Sequence, residues 1–558
     1  MLRCGRPGNR VTTASGWVQT KERGWAIVRP MNNSLRLTLK TSLLVLLVNW
    51  LALASTTTLA TSAAIHLGLA GEPATLDPHR YNLRVEESVL GDLFLGLTTF
   101  SAEGKIMPGA ASSWETSEDG LIWTFHLRAD GRWSDGKPVT AHDFVYAFQR
   151  LLDPKTAASL AYFMYPLKNA EAVSKGEMPV DAVGVRAIDD LTLELTLGQP
   201  YPHLPERLLY PTAFPVPRHV IDSVADAWIK PEHWVSNGAY ILRDWKPQQH
   251  IELTQNPNFT PAPATPSIFY HSLANGQNAY NRYRAGDMDA ISGFPAGELA
   301  NLSATRAAEL HLSPQLSMMY LVFNTRRPPF NDVRVRKALS MVVEPSILTD
   351  KVLRSGDVAA TSFVPPMVAN YDHPALPHAT TPLRERQVQA RALLTAAGYG
   401  TNKPLNVELR YATGTDGKKA NLATAAFWQQ IGVKVQLHQA ELKVHYGDLR
   451  QGDFMVAQAG WLGESNPEHY LGLLHGSTGD TNYGGYNNPA VDKLLNAARE
   501  QKDIPARHAL LRDAEILAIQ DYPVMPLFAL TARRLVRPDL RGWYDNPRDA
   551  HPARFLQR

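Results

Sequence analysis

Residues 111–144, ASSWETSEDGLIWTFHLRADGRWSDGKPVTAHDF, carry the reading that decides the fold. Leu121, Trp123, Phe125 and Leu127 alternate with Ile122, Thr124, His126 and Arg128, the period of two expected of a half-buried strand. Asp130-Gly131 and Asp135-Gly136 supply the positive-φ residues that tight turns need. Thr140 with Asp143 three positions on reads as a capping-box variant. Phe144, Phe148, Leu151 and Leu152 then recur at helical spacing until Asp153-Pro154 ends the run. The segment predicts strand, hairpin and capped helix, which is architecture and names no function.

Working outward, residues 183–197 read as another strand pair, with Leu191, Leu193, Leu195 and Leu197 alternating against polar positions after an Asp189-Asp190 turn. Six prolines between Gln199 and Arg218 break any regular element, and the chain is expected to cross between lobes there. A second proline-rich stretch, 256–266, reads as a surface loop. Further on, a helical run ending at Gly398 precedes a strand at 406–411, a helix at 420–430 and a strand at 433–437. Short connections of that kind imply parallel pairing and an α/β lobe. Asn488-Pro489 and Pro505 each start a helix, the second reaching about Asp521.

The 558 residues are enough for a large core divided among more than one lobe. The net charge of +3 sits at one end: eight Lys or Arg up to Ala64 face a single acid, Glu22. Subtracting that excess of seven leaves the rest of the chain at −4, with no electrostatic footprint for nucleic acid. The same end reads as a targeting segment, because Arg36 and Lys40 precede an apolar run at 43–54 followed by small residues to Ala64. The run is shorter than the ~20 residues a spanning helix needs. A cleaved signal peptide covering 1–64 is expected, with the mature chain starting between about Ala60 and Ile65. Met31 is a more ordinary start than Met1. Cys4 is the only cysteine, so the mature chain has no disulfide, no thiolate site and no lipid-anchoring cysteine. The expectation is a soluble periplasmic protein without a lipid anchor.

The opening segment resembles the signature of the family 5 bacterial extracellular solute-binding proteins, the peptide and nickel receptors of ABC importers. Trp114, Asp119-Gly120, Trp133-Ser134-Asp135-Gly136, Thr140-Ala141 and Asp143-Phe144 all fall in register with it. EPATLDPH (72–79) and SNGAY (236–240) fit other family segments. NRYRAGDMDA (281–290), RRPPFNDVRVRKAL (326–339) and AGW (459–461) are similar to those of oligopeptide-binding proteins. The resemblance implies an α/β fold, a two-lobed periplasmic-binding-protein clamp of type II with an additional α+β domain. Its parts would be 65–95, 218–315 and 529–558 for lobe I, 96–217 for the extra domain inserted in it, and 316–528 for lobe II.

Ser134 and Lys137 match the S-x-x-K pattern of penicillin-binding acyl transferases, which makes a serine acyl hydrolase the alternative from another class. A hairpin turn is the more economical reading of Ser134-Asp135-Gly136-Lys137. No G-x-S-x-G elbow, P-loop or H-E-x-x-H is present, and His469 and His475 stand six apart, a poor fit to a helical metal pair. No enzyme activity, cofactor, metal or nucleic-acid partner is expected. In the oligopeptide-binding proteins that this chain resembles, the strand around A-G-W pairs with an extended peptide, and an acid three positions after the tryptophan takes its ammonium. That assigns ligand binding to Gly460, Trp461 and Leu462 and the ammonium to Glu464. Arginine is common in the family where Gln458 stands, and a histidine that helps hold the peptide's C-terminus falls at Gly417. Both changes bear on the carboxylate clamp. Arg450 matches a family arginine in the ligand-binding set, and Tyr320 and Val85 match cleft positions. The implied function is a monomeric receptor that hands peptides to an ABC permease, with a dedicated cell-wall (murein) peptide receptor as the alternative.

Overall fold

The computed structural model describes residues 64–558, and side chains 415 and 480 are not described. The signal peptide, its cleavage site, Cys4 and the choice of start codon lie outside the described residues.

The quoted stretch folds as a hairpin of Ala111–Thr116 and Ile122–Leu127, followed by the helix Ala141–Leu152. Alternation places Trp123, Phe125 and Leu127 in the core and leaves Ile122 exposed. The hairpin reverses at Asp119-Gly120, where Gly120 has φ +75°, and Gly136 has φ +88°. Gly131 does not need the left-handed region: its N–H closes a turn onto Arg128 with ordinary φ, so only one of the two expected Asp-Gly turns depends on glycine's freedom. At the helix start the Asp143 carboxylate accepts from the Thr140 N–H at 2.8 Å and from its hydroxyl at 3.0 Å.

Three larger sheets organise the described residues, beside a two-stranded ladder of Thr98–Phe100 and Ile106–Pro108. The hairpin continues into Thr192–Thr196 and Val185–Ala187 as a four-stranded antiparallel sheet. A seven-stranded sheet runs in the order Leu310–Pro314, Thr531–Val536, Ala290–Ser292, Ile65–Leu69, Ser267–Ser272, His250–Gln255 and Tyr240–Lys246. Ile65–Leu69 is parallel to both of its neighbours. A six-stranded sheet runs Val358–Ala359, Val524–Ala529, Ser317–Phe323, Val456–Leu462, Asn406–Ala412 and Lys434–Ala440. Asn406–Ala412 is parallel to Lys434–Ala440, joined through the helix Thr415–Gln429, as the strand-helix-strand pattern implied.

The chain passes between the two large sheets at 314–317 and again at 529–531. The proline-rich 199–218 stretch does something else: it leads from the small sheet back toward the large one, with Leu204, Leu208 and Phe214 buried in the first core. Prolines broke the regular elements there, but the buried apolar residues between them hold the segment against its own lobe.

Candidate functional site

Strand Val456–Leu462 is covered unequally. Along one edge it pairs with Ser317–Phe323 over its whole length, from Ser317 opposite Leu462 to Phe323 opposite Val456. Along the other, Asn406–Ala412 pairs with it only at Val456 and Ala457. Beyond Ala457 no described strand pairs with that second edge. Residues two apart face the same edge, so Gln458, Gly460 and Leu462 address it. The helix Leu442–Gln451 reaches part of it: His445 Nε2 lies 2.7 Å from the Gln458 carbonyl, and the Tyr446 hydroxyl accepts from the Gly460 N–H at 3.2 Å. Leu462 is 53% exposed. Trp461 is half-buried, edge-on to His469 at 5.4 Å, and its indole N–H has no acceptor among the described residues.

Glu464 follows the strand and is fully buried. Gly463 permits this turn, since a Cβ there would sit 2.3 Å from the Tyr470 ring. The carboxylate already has a protein cation: Arg207 Nε stands 3.0 Å from its Oε1. The two are not aligned as a hydrogen bond, and the other oxygen accepts only a long 3.4 Å bond from the Tyr201 hydroxyl. Arg207 also donates to Tyr201 at 2.8 Å and lies over the Phe163 ring. Burial works against its charge, but Tyr201 and Glu464 together carry its pKa above the ordinary guanidinium range.

A second pair adjoins the first. Glu206 accepts from the Ser465 N–H at 2.7 Å and pairs with Arg548. Burial raises its pKa, but a hydrogen bond from His203 and the charge of Arg548 overcome that and bring it well below the usual carboxylate range. Two carboxylates and two guanidinia therefore join the 201–207 segment, residues 464–465 and the C-terminal segment in one balanced cluster.

The site residues expected from sequence separate into groups. Gln458 is buried; its Oε1 accepts from Asn421 at 2.8 Å, its Nε2 has no partner, and Gly417 stands beside it, a Cβ there lying 3.2 Å from Oε1. The two altered clamp positions are thus neighbours in space. Tyr320 pairs in register with Ala459, but its ring is buried edge-on to Phe363, a core placement. Arg450 is exposed on the helix that carries His445 and Tyr446. Val85 packs against the first core. Arg207, Tyr201, Glu206 and Arg548 were missed. The signal available was an adjacent Glu206-Arg207 pair amid apolar residues and prolines, where neither charge is expected unless partnered.

Ser134 and Lys137 do not form a nucleophile and base. The Ser134 hydroxyl accepts from the Ser236 N–H at 3.2 Å, and the Lys137 ammonium stands 3.7 Å from Asp135.

The model of the bacterial extracellular solute-binding proteins, family 5 (middle), matches residues 105–482. The chain is 37% identical over 485 residues to the probable deoxycholate-binding periplasmic protein YgiS of Escherichia coli (strain K12), covering 86% of this chain and 90% of that one. It is 35% identical over 509 residues to the periplasmic murein peptide-binding protein MppA of the same organism, covering 90% and 94%. Among solved structures, the unliganded open form of MppA superimposes with a TM-score of 0.78 at 34% identity over 90% of this chain and 98% of that one. The Haemophilus influenzae OppA complex with the peptide RPPGFSPFR gives 0.76 at 32% identity, covering 89% and 99%.

Proposed function

We propose, from the premise that this chain belongs to the family 5 bacterial extracellular solute-binding proteins, that it is a periplasmic receptor that captures peptides and delivers them to an ABC importer, without catalysis of its own. The observation that carries the reading is the edge of Val456–Leu462 that no described strand covers beyond Ala457, where only the His445 and Tyr446 side chains reach the backbone, beside a buried cluster joining the two sides of the molecule. An extended peptide has unpaired N–H and C=O groups along its length, and adding it to such an edge satisfies them whatever its side chains. Each bond contributes about 0.5–1.5 kcal/mol net, so several bonds with some buried apolar area reach the micromolar range, about −8 kcal/mol. Ligand that contacts both lobes favours the closed arrangement by its differential affinity for it.

A murein-peptide receptor is the second reading, favoured by the neutral Gln458 beside Gly417, the two positions at which the family resemblance implies charged or imidazole groups for an ordinary C-terminal carboxylate. Mass spectrometry of material released from the purified protein by denaturation tests both. Linear peptides are expected under the first and cell-wall fragments under the second. A sterol such as deoxycholate as the sole retained compound, with no binding of a peptide mixture by calorimetry, overturns both.

A further inference from the structure

A cavity of about 110 Å³ opens between the ends of the seven-stranded sheet, the helix Arg84–Leu93 and the C-terminal segment. A single water needs roughly 10–15 Å³ by the same kind of measure, so this space admits a group of several heavy atoms. Leu67, Leu69, Phe100, Phe214 and Trp543 make much of its wall apolar. The charged groups on the wall differ in a telling way. Arg534 is paired with Asp549, Asp549 also meets His551, and Arg548 is held by Glu206. Glu87 has no hydrogen bond to its carboxylate and no ion pair among the described residues, and burial pushes its pKa up against the opposing charges of Arg84 and Arg548. Arg84 donates only to the backbone carbonyl of Arg548. Glu87 and Arg84 are three apart on one helix and share a face, yet they form no ion pair with each other. With the other wall charges paired, Glu87 and the exposed Arg84 are the anion and the cation of the wall that have no ion pair among the described residues. A lone ammonium would satisfy Glu87 and leave Arg84 repelling it; a lone carboxylate would do the reverse. A ligand carrying both poles adds no net charge and meets both groups.

We propose that this cavity binds an α-amino-acid head group, its ammonium against Glu87 and its carboxylate against Arg84. The proposal deepens the peptide reading by giving the same receptor a subsite for a free amino acid or for an amino acid joined to a peptide through its side chain. An ordinary linear peptide carries its two charged ends on different residues and cannot present both here.

Calorimetry on the mature chain decides it with three probes: lysine acylated on Nε by N-acetylalanine, so that the lysine α-amine is its one amine, the same compound acetylated on that α-amine, and the same compound amidated at its carboxyl. L-Leucine and trialanine serve as the free-amino-acid and linear-peptide arms. The parent is expected to bind the unblocked probe at least ten-fold tighter than either blocked one. Glu87→Gln should abolish the difference made by acetylation and leave that made by amidation, and Arg84→Gln should do the converse, with melting temperatures showing that both variants fold. Binding of L-leucine supports the free amino acid as the source, and binding of the acylated lysine alone supports the side-chain-linked one. Equal affinity of blocked and unblocked probes, or variants that weaken all probes by one factor, overturns the proposal. A chain that binds trialanine and ignores both amino-acid arms loses the cavity assignment and keeps the peptide reading; one that binds the amino-acid arms and no peptide does the opposite.

Discussion

Two carboxylates of the 316–528 part, Glu464 and Glu515, are both fully buried and are held in opposite ways. Glu515 accepts from the hydroxyls of Ser362 and Tyr371 and the backbone N–H groups of Phe363 and Val364, all neutral and all local to that part of the fold. Burial raises its pKa, and the four donors only partly offset this. Glu464 has a guanidinium at 3.0 Å from another segment and a single long hydrogen bond. An acid satisfied by neighbours that move with it fastens one body. An acid whose partner sits across a boundary is strongly paired when the parts meet and is free to be rehydrated when they separate. The same distinction marks Asp92 in the first core, held by the Tyr270 hydroxyl and the Ala553 N–H.

The comparison breaks most visibly at Glu515. Glu515→Leu strands two buried N–H groups and two hydroxyls, and a loss of about 4 kcal/mol in urea unfolding is expected; a loss under 1 kcal/mol would show that the four bonds do not anchor the fold. Next comes the titration of Asp92. Burial lifts its pKa from 3.8 to about 6, opposed by its bonds to Tyr270 and Ala553. A folded pKa above the unfolded one means that the folded state binds the proton more tightly, so the contribution is fully present below pH ~4 and is lost as pH rises through about 6. Stability against urea should carry a decline of up to about 3 kcal/mol across that window, and Asp92→Asn should remove it. Glu206, whose pKa is lowered, contributes in the other sense: its share is present above the unfolded value and disappears on acidification.

Gly463→Ala should cost about 2 kcal/mol, because its Cβ meets the Tyr470 ring and the strand's exit must shift. The smallest stability change is expected at the boundary pair. A closed body with Arg207→Met would leave Glu464 charged and buried at a cost of about 3–5 kcal/mol. Separation of the parts lets water reach the carboxylate instead, so unfolding stability should fall by under about 1 kcal/mol while the radius of gyration from small-angle scattering rises. A full loss of stability with no expansion would place Glu464 in the same class as Glu515.

The hairpin and helix of 111–144 were legible because their signals are local: alternation at 121–127, an Asp-Gly turn and a cap three residues wide. Even there Gly131 differed, since a turn closed by the Arg128 carbonyl is available to ordinary φ and the dipeptide alone does not say which turn type forms. Strand Val456–Leu462 was legible through its family resemblance, and the two positions where the chain departs from the family, Gln458 and Gly417, lie side by side. The partners of the charges were not legible. Arg207 lies 257 positions from Glu464, and Arg548 lies 342 from Glu206.

Taken by itself, the sequence determined the hairpin and helix of 111–144, the places of their turns, the family and the carboxylate that follows Ala459-Gly460-Trp461, because each depends on residues within a turn or a strand of one another. Only the tertiary structure decided that Glu464 comes with its own cation, that Tyr320 belongs to the core and that Glu87 has no ion pair among the described residues. Coulomb pairing and burial depend on distance in space, and a chain that crosses twice between two sheets brings together charges that no local spacing records.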